Sequence, residues 1–109
     1  MRYSNMHGFY ELNPMPGCNQ LVVSNHAFIY PAHRGKGHGN RQHKERLLKI
    51  SELGYDAAIC TVNACNAAEM HILNTHGWRR VGQFVNKETG NTICIFMVAL
   101  AELMLGDGQ

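Results

Sequence analysis

Three glycines alternate with two cations and a histidine in Arg34-Gly35-Lys36-Gly37-His38-Gly39. An apolar run, Ala27-Phe28-Ile29-Tyr30, leads into them and is closed by Pro31. Behind them Leu47, Ile50 and Leu53 recur at helical spacing, with Leu48 beside them. The pattern reads strand, glycine loop, helix. Glycine lets the backbone approach a ligand closely and take positive φ. The first turn of a helix leaves N–H groups unpaired under a partial positive charge. Such a junction supports anion binding, above all of phosphate. Arg34, Lys36 and Arg41 add charge around it.

Two familiar phosphate patterns do not fit. In a P-loop, four residues separate the first glycine from Gly-Lys-Ser/Thr, and no Ser or Thr follows Lys36. The dinucleotide fingerprint needs a third glycine where Asn40 or Gln42 stands. The formal charge of the 109 residues is only +2, so net charge is no argument for nucleic acid. Six of the ten basic residues do fall between Arg34 and Lys49. Aromatic interleaving, the mark of single-strand platforms, is absent there, and charges at Arg41, Lys44 and Arg46 read as a solvated helix face. Nucleic acid is therefore not an expected partner.

The elements around the loop follow from periodicity and punctuation. Residues 1–19 are irregular in pattern, with Phe9–Leu12 a short strand and Asn13–Gly17 a turn cluster. Gln20–Tyr30 reads as strand, with Ser24-Asn25-His26 either a tight turn or a bulge. The helix runs about Asn40 to Leu53 and stops at Gly54. Ala57–Val62 is a buried strand. Asn66 and Glu69 form a capping-box-like pair for a second helix, about Ala67 to Thr75, ended by Gly77. Trp78–Asn86 and Thr92–Leu100 make a hairpin around Lys87–Asn91, and Gly106–Gln109 read as frayed.

Arg34-Gly35-Lys36-Gly37-His38-Gly39 resembles the Arg/Gln-x-x-Gly-x-Gly/Ala loop of the GNAT N-acetyltransferase superfamily. The surroundings are similar as well. Ile29-Tyr30-Pro31 resembles the V-x-P ending of that family's fourth strand, and Gly39–Gly54 spans its third helix. Asn66 lies eleven residues before Gly77-Trp78, like the family's N…G-F ending. The resemblance covers about residues 20–100. It implies an α+β, three-layer fold within one domain, 1–109. The sheet would be mixed and mostly antiparallel, with two main helices.

The resemblance also implies a site. Acetyl-CoA would be the co-substrate, with no metal. Backbone groups of Phe28, Ile29 and Tyr30 would pair with the pantetheine arm. The segment Gly35, Lys36, Gly37, His38, Gly39 and Asn40 would hold the pyrophosphate, assisted by Arg34, and Asn66 would contact the arm. An acceptor amine, on a protein lysine or N-terminus, would attack the thioester directly.

Three departures qualify this. Only 33 residues precede Arg34, so the family's N-terminal strand and two helices are expected to be shortened or absent, leaving an open acceptor side and an edge suited to a homodimer. Leu73 stands seven residues after Asn66, where many members carry a Tyr that protonates the leaving thiolate; water, Asn74 or His76 are the substitutes. Arg41-Gln42-His43-Lys44 is polar where apolar residues are usual, so the helix start is expected to be exposed. His26 is the candidate general base, since its ordinary pKa suits neutral pH.

Seven histidines raise the question of a metal, but neither Cys65/His71/His76 nor His33/His38/His43 has zinc-like pair spacing, and His38 and His43 are expected to face solvent. The four cysteines read as reduced, Cys60 and Cys94 as small core residues. No apolar run of about 18 residues occurs and no signal segment is visible, so the expected location is the cytoplasm, away from membranes. The alternative to an enzyme is an inactive module of the same fold that binds coenzyme A or regulates a partner.

Overall fold

The computed structural model describes residues 1–107; Gly108 and Gln109, in the stretch expected to fray, lie outside the described residues. Six strands form one sheet: β1 (Arg2–Ser4), β2 (Gly8–Met15), β3 (Cys18–Ile29), β4 (Ala57–Asn63), β5 (Arg79–Val85) and β6 (Thr92–Ala99). Their order is β1-β2-β3-β4-β6-β5, and only β3 and β4 run parallel. A 3-10 turn (Pro31–His33) and helix α1 (His38–Glu52) cross from β3 to β4, and α2 (Ala67–Thr75) leads from β4 to β5. A third helix, α3 (Leu100–Asp107), follows β6 directly where fraying was expected to begin at Gly106.

Alternation along the strands sets which face is covered. Tyr10, Leu12, Val22, Cys60, Phe96 and Val98 all point to the side of the helices and are buried there. Ile50 from α1 and Leu73 from α2 close this layer, and Trp78 joins it. The core thus reaches back to Tyr10 and Leu12, ahead of the stretch from residue 20. Before β3 the described residues form two strands and no helix. β2 extends through Asn13-Pro14-Met15, so the turn is narrower than the expected cluster, with only Pro16 and Gly17 between the paired Met15 and Cys18.

The polar interruption in β3 is a bulge in one long strand. Phe9 pairs with Phe28 and Glu11 with Asn25, so His26 and Ala27 together oppose Tyr10. His26 takes φ +54, in the left-handed region where histidine is among the tolerated side chains. Gly8 faces the same part of β3, and a Cβ there would run into the Phe28 carbonyl.

Candidate coenzyme groove and acceptor side

The parallel pairing of β3 with β4 is short. It joins Leu21, Val22 and Val23 to Ala57, Ala58 and Ile59, and then stops, although β3 continues to Ile29 and β4 to Asn63. Beyond Val23 the two strands diverge. The opening leads into a groove of about 700 Å³ bounded by the end of β3, the glycine loop and the start of α2. Phe28, Ile29, Arg34, Gly37, Asn40 and Asn66 all border it. A smaller cavity of about 220 Å³ lies deeper in the split, between Ser24–Ala27 and Cys60–Asn63.

The loop end of the groove is built from backbone. Gly37 is the N-cap of α1 with φ +82, a conformation that favours glycine, and its carbonyl accepts from Arg41 N at 3.2 Å. The N–H groups of His38, Gly39 and Asn40 precede the first intrahelical donor, Arg41 N–H, and stay available for an anion. Gly35 also has positive φ, +77, and Lys36 is exposed beside it. Arg34 is folded back: its Nε donates to the Ile29 carbonyl (2.9 Å) and its guanidinium lies over the Phe28 ring (4.9 Å). Asn66 caps α2, its Oδ1 accepting from Glu69 N at 3.1 Å.

The three β3-end residues are not equivalent. Tyr30 N–H donates to the His7 carbonyl (2.9 Å), and the Phe28 carbonyl accepts from Gln42 Nε2 (3.3 Å). The Tyr30 carbonyl in turn accepts from His33 N (2.8 Å), so both main-chain groups of Tyr30 already have partners within the chain. By strand alternation Ile29 presents its N–H and C=O to the open edge.

Helix α1 departs most from expectation. Its start is not exposed: Gln42 and His43 are buried, and so is Arg46, read from sequence as solvated. Gln42 Nε2 also donates to the Phe9 carbonyl (3.1 Å), tying α1 across β2 and β3. His43 has no exposure, and burial, helped by the charges of Arg46 and then His76, pushes its pKa down to about 2. Arg46 borders both cavities and lies 3.5 Å from Glu69 Oε1, with its Nε buried and unpartnered. The Ser24 hydroxyl is also buried without a partner. The signal for Arg46 was positional: with His43, Leu47 and Ile50 it falls on the i, i+3, i+4, i+7 stripe that faces the sheet.

On the other face of β3, His26 Nδ1 lies 3.1 Å from Glu11 Oε2, which also accepts from Arg2 Nη2 at 2.8 Å. The Arg2 hydrogen bond, reinforced by His26, holds the Glu11 carboxyl below its ordinary pKa. Leu73 is fully buried in the core, and neither Asn74 nor His76 borders the groove. His76 Nε2 instead donates to Asn40 Oδ1 at 2.6 Å. Cys60 is an inert core thiol, its pKa raised by burial to about 12. Among the described residues no helix is long and apolar enough to cross a membrane.

No family model and no curated protein matches the chain. Solved structures do. The chain superposes on mutant forms of the spermidine/spermine N-acetyltransferase SpeG from Vibrio cholerae with TM-score 0.81 at 17% identity, covering 94% of this chain and 62% of that one. For yncA from Salmonella typhimurium, solved with its cofactor acetyl-CoA, the TM-score is 0.76 at 17% identity, over 86% and 58%. For the ribosomal-protein-S18-alanine N-acetyltransferase from Escherichia coli it is 0.73 at 13%, over 89% and 64%. The chain therefore spans about 60% of the length of these structures. Likeness at such identities establishes architecture, and the architecture is the GNAT fold.

Proposed function

We propose that the chain binds acetyl-CoA in the groove and transfers its acetyl group to an amine by direct attack in a ternary complex. The observation that carries this reading is the divergence of β3 and β4 beyond Val23 and Ile59, which opens onto a glycine-capped helix N-terminus. A split parallel pair leaves one strand edge unpaired, and an extended amide-bearing chain can complete it. Ile29 supplies the free edge. The N–H groups from Gly35 to Asn40 hold the pyrophosphate, Lys36 adds charge, and Arg34 turns from the Ile29 carbonyl toward the phosphates. Asn66 faces the arm from α2.

The acetyl thioester supplies an activated carbonyl. A main-chain N–H at the split polarises it, a preorganised donor where negative charge develops. With Nδ1–H directed at Glu11, His26 keeps a lone pair on Nε2 to take the proton of an incoming ammonium. The amine nitrogen bonds to the acetyl carbon, the carbon–sulfur bond breaks, and the surplus proton on the nitrogen passes through water to the leaving thiolate. Holding amine and thioester together supplies much of the rate. A protein lysine or N-terminal amine is the acceptor class we propose.

A second reading, a coenzyme A-binding or partner-binding module without turnover, is favoured by Leu73, which puts a buried hydrocarbon where the family's acid would be. The two are separated by measuring thiol released from acetyl-CoA with lysine peptides, free N-terminal peptides and spermidine. Amine-dependent release establishes transfer. Binding of acetyl-CoA with no release for any amine overturns transfer and leaves the module.

A further inference from the structure

Three histidines distant in sequence meet beside the glycine loop. His7 comes from the β1–β2 turn, His33 from the 3-10 turn and His38 from the first residue of α1. One nitrogen of each lies within 4.8 Å of the others. His7 Nδ1 and His33 Nδ1 are 3.2 Å apart. Two imidazole nitrogens on a tetrahedral zinc, each at about 2.0–2.1 Å, stand about 3.3–3.4 Å apart. The separation seen is that of two neighbouring ligands on one ion.

We propose that His7, His33 and His38 form a three-histidine site for a divalent transition ion, with Zn²⁺ as the ion it takes. Imidazole without thiolate suits zinc and its first-row neighbours and disfavours Mg²⁺ and Ca²⁺, which need oxygen ligands. The fourth position is open to water: a cavity of about 270 Å³ adjoins His7 and His38, and Asn5 and Glu45 line it. Glu45 brings the only carboxylate into that lining, which offsets part of the charge of Arg41.

The backbone holds two of the ligands in place. Tyr30 N–H donates to the His7 carbonyl (2.9 Å), and His33 N–H donates to the Tyr30 carbonyl (2.8 Å). Asn5 Oδ1 accepts from His7 N at 2.8 Å. Only His38 must move. Its ring stacks on His7 with centroids 3.7 Å apart, and Arg41 Nη2 lies 2.9 Å from its Nδ1. To share an ion with His7 it turns edge-on and gives up the Arg41 contact. Because His33 and His38 bracket Arg34–Gly37, the ion would tie the β1–β2 turn to both ends of the glycine loop.

The test needs no coenzyme and is independent of the acetyl-transfer reading. Zinc chloride is titrated into the metal-free protein against a chromophoric chelator, and melting is followed with and without zinc. The expected result is one Zn²⁺ per chain and a melting temperature that rises with zinc concentration. His7→Ala and His33→Gln should each weaken binding at least about tenfold, while His71→Ala, on exposed α2 surface, should not. If His7→Ala melts abnormally without zinc, His33→Gln decides alone. Absence of stoichiometric zinc binding, or binding that survives loss of His33, would overturn the site and leave the His7–His33 pair as a simple hydrogen bond.

Discussion

The indole N–H of Trp78 donates to Nε2 of His43 across 2.8 Å, and both residues are buried. This contact locks α1 to the start of β5 and gives a polar helix position a place in the core. It also requires a neutral imidazole, since Nε2 accepts. Below an ordinary pKa of 6.5 the unfolded chain takes up a proton at His43 that the folded chain refuses until about pH 2. Stability therefore falls with acidification below about pH 6.5, by up to about 1.4 kcal/mol per pH unit from this residue. Urea unfolding at pH 7, 6 and 5 should show that slope, and His43→Gln should flatten it; an unchanged slope would remove His43 as its source.

Gln42 makes a different kind of bridge. Its amide donates to the carbonyls of Phe9 and Phe28, one on each strand of the β2–β3 pair. Gln42→Ala removes both bonds and leaves two carbonyls short of a donor inside the fold. The expected loss is about 2 kcal/mol, taking roughly 1 kcal/mol net for each bond. Chemical denaturation measures it directly, and a change under about 0.5 kcal/mol would mean that water replaces the amide at no cost.

The His26–Glu11 pair predicts a separation of binding from chemistry. His26→Gln should lower turnover by about 10²- to 10⁴-fold, the range of a general base, while acetyl-CoA affinity stays the same. Glu11→Gln should cost less, because it loosens the orientation of the imidazole without removing it. A Glu11→Gln loss that falls on acetyl-CoA affinity or on folding rather than on turnover would show a merely structural carboxylate.

The legibility of this chain followed how local each signal was. The second helix and its Asn66 cap were readable because the cap and the Glu69 N–H that it accepts from are three residues apart. The sheet strands after Ala57 were readable from apolar alternation and a turn-rich break. The N-terminal strands were harder. The register of β2 depends on a partner found beyond a turn, and its bulge at His26 balances a long-range pairing that no local pattern encodes. The polar residues of α1 were misread for a related reason. Gln42, His43 and Arg46 occupy the inward stripe, but their polarity signals solvent; the carbonyls and indole that satisfy Gln42 and His43 come from distant β2, β3 and Trp78, and Arg46 reaches Glu69 on α2. The glycine loop was visible as a motif, whereas the commitment of Tyr30 N–H to His7 could be seen only once the strands were paired.

We propose the split between β3 and β4, with the loop at Gly37, as the site for acetyl-CoA. Calorimetric titration of acetyl-CoA into the protein and into Gly37→Glu tests it most directly. Gly37 has φ +82, and a Cβ there would sit 3.4 Å from the Arg41 guanidinium. Glutamate would therefore strain the loop and bring a negative charge to the phosphate position. Saturable one-to-one binding in the micromolar range is expected for the wild type, with its loss in a Gly37→Glu protein that still melts cooperatively. No heat from a folded wild type, or an isotherm unchanged by the substitution, would contradict it.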